Sequence, residues 1–151
     1  MGNICRSPSA EGFFRHHLDK STIAGQVRAD SAGTHSYHLG CAPDPRAITE
    51  ADRFGVDISH LRARKVQASD FEAFDLALAM DRHNLMLMEQ MRPAQARADT
   101  GLMIDYVPGS GLDEVPDPYY GSQRDFRLMC ELLDQATRNL VLQLESRLTK
   151  C

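Results

Sequence analysis

A chain of 151 residues is long enough to bury a hydrophobic core without disulfides or a structural metal, so we expect one domain over residues 1–151. Its 42% hydrophobic and 25% charged residues are typical of a globular protein in water, and a formal net charge of -4 argues against general nucleic-acid binding. No stretch reaches the roughly 20 apolar residues of a membrane span and no leader resembles a signal peptide, so we expect a cytoplasmic protein without membrane insertion.

The first predicted element is a helix that directly follows a loop. In "SPSAEGFFRHHLDK", Ser7 is a suitable N-terminal cap and Pro8 suits the first helical position. Phe13, Phe14 and Leu18 supply much of an apolar face, as expected of a helix that packs on a core.

Two strand signals and two helix signals follow. "VRADSAGT" (residues 27–34) predicts a strand that ends in a glycine turn, and "PDPRAITEADRFG" (residues 43–55) predicts a capped helix closed by Gly55. "FDLALAM" (residues 74–80) is a short apolar run of the kind found in a strand that is buried on both faces. "DRHNLMLMEQM" (residues 81–91) predicts the next helix.

The last two elements complete an alternating pattern. "LMIDYVP" (residues 102–108) predicts a strand, and apolar residues at helical spacing from Ser122 onward predict a long amphipathic helix. Strands that alternate with helices predict an α/β protein with a parallel sheet covered on both faces. The pattern has an anomaly at its start, because an α/β chain usually begins with a strand, and here the alternation begins with a loop and a helix.

The four cysteines are predicted to be reduced thiols. They form no C-x-x-C pair and show no metal-ligand spacing, and a domain of this size does not need disulfides. They are Cys5, Cys41, Cys130 and Cys151. The sequence therefore gives no reason to expect a metal site.

The opening loop has the composition of an anion site. In "GNICRS", Gly2 and Asn3 can adopt left-handed backbone conformations that turn successive N–H groups toward one point. Such a loop, opening onto a helix N-terminus, binds an anion with backbone donors and the helix dipole. Arg6 adds a permanent planar charge that can make paired hydrogen bonds to phosphate. The loop is therefore predicted to bind a phosphate-like dianion.

Five segments in order carry a resemblance to a known family. "GNICRSPSAEG" resembles the phosphate-binding loop of the low molecular weight protein tyrosine phosphatases, and "DSAGT", "PDPRA", "FDLALAMDRHN" and "VPDPYYG" follow with compatible separations. The resemblance spans nearly the whole chain. It implies a flavodoxin-like, three-layer α/β domain with a parallel sheet of four strands, of which the N-terminal strand is absent here. It also implies hydrolysis of phosphotyrosine without a metal or other cofactor.

The resemblance places the family's nucleophile outside this chain. In the family the loop is Cys-x5-Arg-Ser and the cysteine attacks phosphorus, and counting back from Arg6 puts that cysteine immediately before Met1. Cys5 lies beside the arginine, where the family often has a second cysteine that can trap the oxidised nucleophile as a disulfide. For this chain we favour the interpretation that Cys5 is a small buried loop residue.

The resemblance also assigns the remaining site residues. Asp117 in "PDPYYG" is expected to be the general acid for the leaving group and then the base that activates water, with Arg6 as the other catalytic residue. The residues expected to bind substrate are Gly2, Asn3, Ile4, Cys5, Arg6, Ser7, Tyr37, Tyr119 and Tyr120. The residues expected to support the loop by hydrogen bonds are Asn3, Ser7, Ser31 and His60.

Two explanations account for the missing strand. Either Met1 is an internal methionine and the natural product carries a strand and the nucleophile before it, or the chain is a pseudophosphatase without chemistry. In the family that strand lies between those of residues 27–34 and 74–80, and each buried backbone group left unpaired costs on the order of 1–3 kcal/mol. Because several such losses rival a total stability of roughly 5–15 kcal/mol, we favour the first explanation. Either way, the chain as written is expected to bind phosphate or vanadate weakly and to lack turnover. If it folds alone, we expect a rearranged or partner-completed sheet.

Two other functions share parts of this pattern with phosphotyrosine hydrolysis. A thiol-dependent arsenate reductase shares the fold and the loop, but it needs two further cysteines after the third strand, and residues 80–101 contain none. A noncatalytic phosphotyrosine-binding module would explain Arg6 and the tyrosines expected to bind substrate, but it would give Asp117 no role. The expected partner is a phosphotyrosine-containing protein, with bacterial tyrosine kinases among the candidates.

Overall fold

The computed structural model describes residues 2–150, so the predictions for Met1 and Cys151 lie outside the described residues. Within that range the helices and strands alternate as expected of an α/β chain. They are α1 (Arg6–Asp19), α2 (Pro45–Arg53), α3 (Asp70–Ala73), β1 (Leu76–Ala79), α4 (Arg82–Met91), β2 (Asp99–Leu102), a 3-10 helix (Met103–Tyr106) and α5 (Gln123–Leu148).

Helix α1 begins at Arg6, two residues before the predicted first position at Pro8, and Ser7 does not cap it. Cys5 is the N-cap residue and makes no side-chain cap, while the Ser7 hydroxyl accepts a hydrogen bond from Asn3. The prediction of a Ser7 cap is therefore wrong, because the hydroxyl is used to hold the preceding loop. The prediction of the buried face is confirmed, since Phe13, Phe14 and Leu18 are all buried.

The other predicted helix boundaries agree closely with the structure. Asp44 caps α2 by accepting a hydrogen bond from the backbone N–H of Arg46, and Gly55 follows the end of α2 with a φ of 76°. Ser122 and Asp125 form a reciprocal capping box at the start of α5. Helix α5 then packs along α1, so the first and last helices cover the same side of the molecule.

The sheet is parallel, as predicted, but it has two strands in the described part of the chain. β1 pairs with β2 from Leu76↔Asp99 to Ala79↔Leu102. The prediction of a strand over residues 102–108 is largely wrong: β2 ends at Leu102 and the chain turns into the 3-10 helix, because β1 offers no ladder partner beyond Ala79.

Residues 27–34 do not form the predicted strand. They run extended, but among residues 2–150 only Gly33 is bridged, in parallel with Lys65 through hydrogen bonds to Arg64 and Val66. Side chains still alternate, with Val27, Ala29 and Ser31 half-buried and the residues between them exposed. The sequence thus has the strand pattern and lacks a ladder neighbour, and a strand exists only when its backbone is paired.

β1 is also less buried than predicted. Leu76, Ala77 and Leu78 are half-buried and only Ala79 is buried, so the prediction of burial on both faces is wrong. β1 and residues 27–34 are not paired to one another. Val27 and Ala29 nevertheless pack against the same small apolar cluster as Leu76 and Leu78. That cluster consists of Phe14, Leu18, Ile23, Leu140 and Val141.

Most of the core belongs to a larger cluster, to which α1, α2, α4 and α5 all contribute. Its largest fully buried side chains include Phe13, Phe71 and Phe126. None of the helices in the described part of the chain is long and apolar enough to cross a membrane. The thiols of Cys5, Cys41 and Cys130 are free, which confirms the prediction for these three cysteines.

Candidate active site

The loop before α1 is held in a strained conformation at Asn3. Asn3 has a φ of 60°, a left-handed conformation that asparagine tolerates better than most residues. Its side chain is 4% exposed and donates hydrogen bonds to the hydroxyls of Ser7 (2.8 Å) and Ser31 (3.0 Å). Its carbonyl oxygen accepts a hydrogen bond from the backbone N–H of Arg64 at 3.1 Å. These three bonds fix the conformation of the loop.

The structure brings together three of the four predicted loop-supporting residues. Asn3, Ser7 and Ser31 are in direct contact, and Ser31 in turn donates to the buried carboxylate of Glu11 at 2.7 Å. His60 is not part of this network within the described residues. It is exposed, and it follows a turn that the side chain of Asp57 stabilises. The backbone of Arg64, a donor that sequence reasoning missed, completes the network instead.

Arg6 is the buried cation of the site. It is the first residue of α1, is 4% exposed, and donates from Nη1 to Asp81 Oδ2 (2.8 Å) and to the carbonyl of Val115 (2.9 Å). Nη2 is also buried and has no hydrogen-bond partner among residues 2–150. This nitrogen lies 3.7 Å from Asp117 Oδ2. The Nη1 side of the guanidinium is therefore anchored by the protein, and the Nη2 side is available to a ligand.

Asp81 is a functional residue that sequence reasoning missed. It lies just after β1, separated from it by Met80, where the carboxyl end of a parallel strand usually opens onto a ligand site, and it caps α4 through Asn84. Burial by itself raises the pKa of Asp81, but the hydrogen bonds from the Asn84 N–H and from Arg6 outweigh it and leave the pKa below the ordinary 3.8. Asp81 is thus a carboxylate that orients Arg6. Its position after a predicted strand, in the quoted "FDLALAMDRHN", was the available signal.

Asp117 faces Arg6 from a loop on the other side of the cavity. Its side chain is 40% exposed, and Oδ1 accepts a hydrogen bond from the backbone N–H of Tyr119 at 3.1 Å. The loop is tied to the end of β1, because Val115 donates its N–H to the carbonyl of Met80. The carboxyl group is therefore held near the cation and lines the cavity while it stays open to solvent.

Three tyrosines wall the same cavity, which has a volume of about 190 Å³. Tyr119 and Tyr120 form an edge-to-face pair with ring centroids 4.8 Å apart, and Tyr120 is 97% exposed. Tyr37 stands on another side, with its ring stacked on His35 at 5.2 Å. Gly2, Ile4 and the remaining predicted loop residues line the floor. The structure therefore brings every predicted substrate-binding residue to one cavity.

Cys5 lies in the cavity floor as a neutral thiol. It is 6% exposed, and burial, followed by the negative charges of Asp44 and Asp117, raises its pKa to about 12. A thiolate nucleophile requires the opposite environment, one that lowers the pKa. The interpretation of Cys5 as a small buried loop residue agrees with this geometry.

His38 is a further cavity residue that sequence reasoning missed. Its ring lies against Gly2 so closely that a Cβ at residue 2 would come within 2.5 Å of His38 Cδ2. Its ring centroid is 6.3 Å from that of Tyr119. A side chain at position 2 would therefore have to displace the ring of His38. No group of three or more metal-ligating side chains occurs among residues 2–150.

An α/β fold with an anion loop at a helix start, a buried arginine and a facing carboxyl group defines a phosphoryl-binding protein of the phosphatase type. The comparisons give the family: residues 1–150 match the model of the low molecular weight phosphotyrosine protein phosphatases. The chain belongs to this family of protein-tyrosine phosphatases, whose fold is flavodoxin-like.

Individual relatives agree with this assignment. The low molecular weight protein-tyrosine-phosphatase YfkJ of Bacillus subtilis is 34% identical over 145 residues, covering 96% of this chain and 92% of YfkJ. A crystal structure of a protein tyrosine phosphatase from Entamoeba histolytica superposes with a TM-score of 0.92 at 35% identity, over 97% of this chain and 94% of that one. Vibrio vulnificus Wzb, solved in complex with benzylphosphonate, superposes with a TM-score of 0.81 at 27% identity, over 95% of this chain and 93% of that one.

Proposed function

We propose that the cavity around Arg6 receives the phosphoryl group of phosphotyrosine in a protein substrate, and that the complete site hydrolyses it through a phosphocysteine intermediate. The observation that carries this proposal is the guanidinium of Arg6, with Nη1 anchored by Asp81 and a buried Nη2 that lacks a partner within the described residues. A buried donor left unpaired is costly, and a phosphoryl oxygen would pair it.

The tyrosine walls support an aromatic substrate. Tyr37 and Tyr119 flank the cavity above the loop, so a flat ring that carries a phosphoryl group can stack between them while the phosphate reaches Arg6. A phosphoserine side chain is too short to span this depth. The complex of V. vulnificus Wzb with benzylphosphonate, a phosphonate on an aromatic ring, is consistent with this class of ligand.

The chemistry needs a thiolate that we propose is supplied by a cysteine immediately before Met1, at the end of a strand that lies between residues 27–34 and β1. Its sulfur bonds to phosphorus as the bond to the tyrosyl oxygen breaks, and Asp117 donates its proton to that oxygen. Asp117 then takes a proton from water as the water oxygen bonds to phosphorus. Breaking the phosphorus–sulfur bond releases phosphate and restores the thiolate.

The alternative is a pseudophosphatase that binds phosphotyrosine without hydrolysis, for which residues 2–150 already supply the loop and Arg6. The exposed carboxyl group of Asp117 beside Arg6 favours the catalytic proposal, because a negative charge 3.7 Å from Nη2 would weaken simple phosphate binding. The proposed partner is a phosphotyrosine-bearing protein of the cytoplasm, with a bacterial tyrosine kinase as one candidate.

Hydrolysis of p-nitrophenyl phosphate by three purified forms tests the proposal. The first is the 151-residue chain, and the other two carry a short apolar strand before Met1 that ends in cysteine or in serine. We expect turnover with cysteine alone, and a fall of about a hundredfold or more in kcat when Asp117→Asn is added to that form. Turnover by the 151-residue chain would overturn the assignment of the nucleophile. A folded cysteine form that neither turns over nor becomes phosphorylated would overturn the catalytic proposal.

A further inference from the structure

A second cavity lies beside the tyrosine-walled one. It has a volume of about 420 Å³ and is lined by Thr34, His35, Lys65, Val66, Leu87 and Met91, among others. Thr34 lines both cavities, and the stacked rings of Tyr37 and His35 form the ridge between them, since Tyr37 faces the first cavity and His35 the second. A chain that places one side chain in the first cavity therefore passes the second.

The His35 side of the ridge is tied to the rest of the fold. His35 Nδ1 is 3.0 Å from the Thr34 hydroxyl, and that hydroxyl accepts a hydrogen bond from the buried side chain of Asn84. Asn84 also donates its backbone N–H to Asp81, the carboxylate that orients Arg6. These direct contacts fix the position of the second cavity relative to the phosphoryl-binding cavity.

The second cavity has a positive charge that no neighbour neutralises. Within the described part of the chain, the exposed Lys65 side chain has no ion pair, whereas the adjacent Arg64 is paired with both Asp30 and Asp70. Lys65 is bridged in parallel to Gly33, a residue of the first cavity, which puts the two backbones about 5 Å apart. The backbone of Lys65 is therefore fixed close to the site, and its ammonium group is free to meet a ligand.

The remaining lining explains why the ligand would be a glutamate-like side chain. Val66, Leu87 and Met91 offer an apolar surface for methylene groups, and Lys65 and the ring of His35 offer donors for a carboxylate. The overall net charge of -4 repels acidic peptides. A local cationic cavity offsets this repulsion, so an acidic side chain is favoured at the substrate position that reaches it.

We propose that this second cavity is a specificity subsite that binds an acidic side chain, preferably glutamate, within three residues of the phosphotyrosine of the substrate. Two residues of extended chain span roughly 7 Å, which suits neighbouring cavities that share a wall. The inference rests on the proposed function, because it needs the phosphotyrosine to occupy the first cavity.

Fluorescence polarisation with labelled, non-hydrolysable phosphonomethyl-phenylalanine peptides tests the subsite. Three peptides are compared. One has alanine on both sides of the phosphonate residue, one has three glutamates before that residue, and one has three glutamates after it. We expect one acidic peptide to bind about three- to fivefold more tightly than the alanine peptide at low salt. A gain of this size is what one surface ion pair contributes. The proteins are the 151-residue chain and its variants Lys65→Met, Gln90→Glu and, as a matched control away from the site, Lys20→Met.

The ratio of the affinities for the acidic and the alanine peptide should be unchanged in Lys20→Met and should fall to near unity in Lys65→Met. It should also fall to near unity in Gln90→Glu, because Gln90 is a further lining residue of the second cavity and the substitution adds a negative charge there. Equal binding of all peptides to the unaltered chain, with benzylphosphonate still bound, would overturn the subsite and leave the proposed function standing. A preference that persists in Lys65→Met would also overturn it. Failure to bind benzylphosphonate and every peptide would overturn the proposed function and the subsite together.

Discussion

Asp81 Oδ2 lies 2.8 Å from Arg6 Nη1, so the cation of the candidate active site is fixed by a carboxylate at the end of β1. The two groups are 75 positions apart in sequence and their side chains are 17% and 4% exposed. This pair joins the first helix to the sheet. It also presents Nη2 to the cavity, and the predictions for this region follow from it.

Removing the carboxylate of Asp81 should destabilise the fold. Asp81→Ala leaves the buried Arg6 with only the more distant and exposed carboxylate of Asp117 and uncaps α4, so we expect a loss of about 3 kcal/mol in the free energy of unfolding. Asp81→Asn keeps an acceptor for the guanidinium, and the expected loss is about half as large. Urea unfolding measures both, with the exposed Asp113→Asn as the matched control. Equal stability of Asp81→Ala and the unaltered chain would show that the pair contributes nothing to folding.

The same pair should make stability depend on acid. The pKa of Asp81 is lowered in the folded protein, so its contribution is complete above the ordinary pKa of 3.8 and is lost as the pH falls through the folded value. The difference in unfolding free energy between the unaltered chain and Asp81→Asn should therefore be constant from about pH 7 to 5 and shrink below 3.8. Unfolding curves at several pH values give this difference directly. A difference that stays constant down to about pH 3 would contradict the lowered pKa.

The strained loop residue can be separated into its backbone and side-chain roles. Asn3→Gly keeps access to a φ of 60° but removes the hydrogen bonds to Ser7, Ser31 and the Arg64 backbone. Asn3→Ala removes the bonds and adds the left-handed strain of about 1 kcal/mol. We expect both variants to have a lower free energy of unfolding than the unaltered chain. In thermal or urea unfolding, the value for Asn3→Ala should lie about 1 kcal/mol below that for Asn3→Gly. The reverse order would mean that backbone strain is not significant here.

The thiols should differ sharply in reactivity. Burial raises the pKa of both Cys5 and Cys130 to about 12, whereas Cys41 is exposed. Because the thiolate is the reactive form, iodoacetamide at pH 8 should label Cys41 more than about a hundredfold faster than the other two. Peptide mass spectrometry after timed labelling measures each rate, and labelling in urea is the control for access. Rapid labelling of Cys5 in the folded chain would contradict its burial.

Helices were predictable from sequence because their signals are local. Asp44 as a cap, Gly55 after the helix end and the apolar spacing after Ser122 all act within a few residues of one another. Ser7 failed as a cap since Asn3 and its distant partner Ser31 recruit that hydroxyl for the loop. A local sequence pattern does not show such contacts between residues that are distant in the chain.

Strands were less predictable because they require partners. Residues 27–34 have the alternating pattern of a strand and form a single bridge at Gly33, and β2 ends as soon as β1 offers no further pairing. For the candidate site, the resemblance gave Arg6, Asp117 and the tyrosines. It missed Asp81, whose role depends on a contact between the first helix and a strand end far along the chain.

The measurement that tests the central claim most directly is calorimetric titration of the 151-residue chain with phenyl phosphate, beside Arg6→Lys. Lysine keeps the charge but lacks the planar guanidinium, whose separate nitrogens hold Asp81 and Val115 on one side and face the cavity on the other. We predict saturable one-to-one binding by the unaltered chain and a loss of at least about tenfold in affinity for Arg6→Lys. Equal affinity of the two proteins, or no binding by the unaltered chain, would contradict a phosphoryl site built around Arg6.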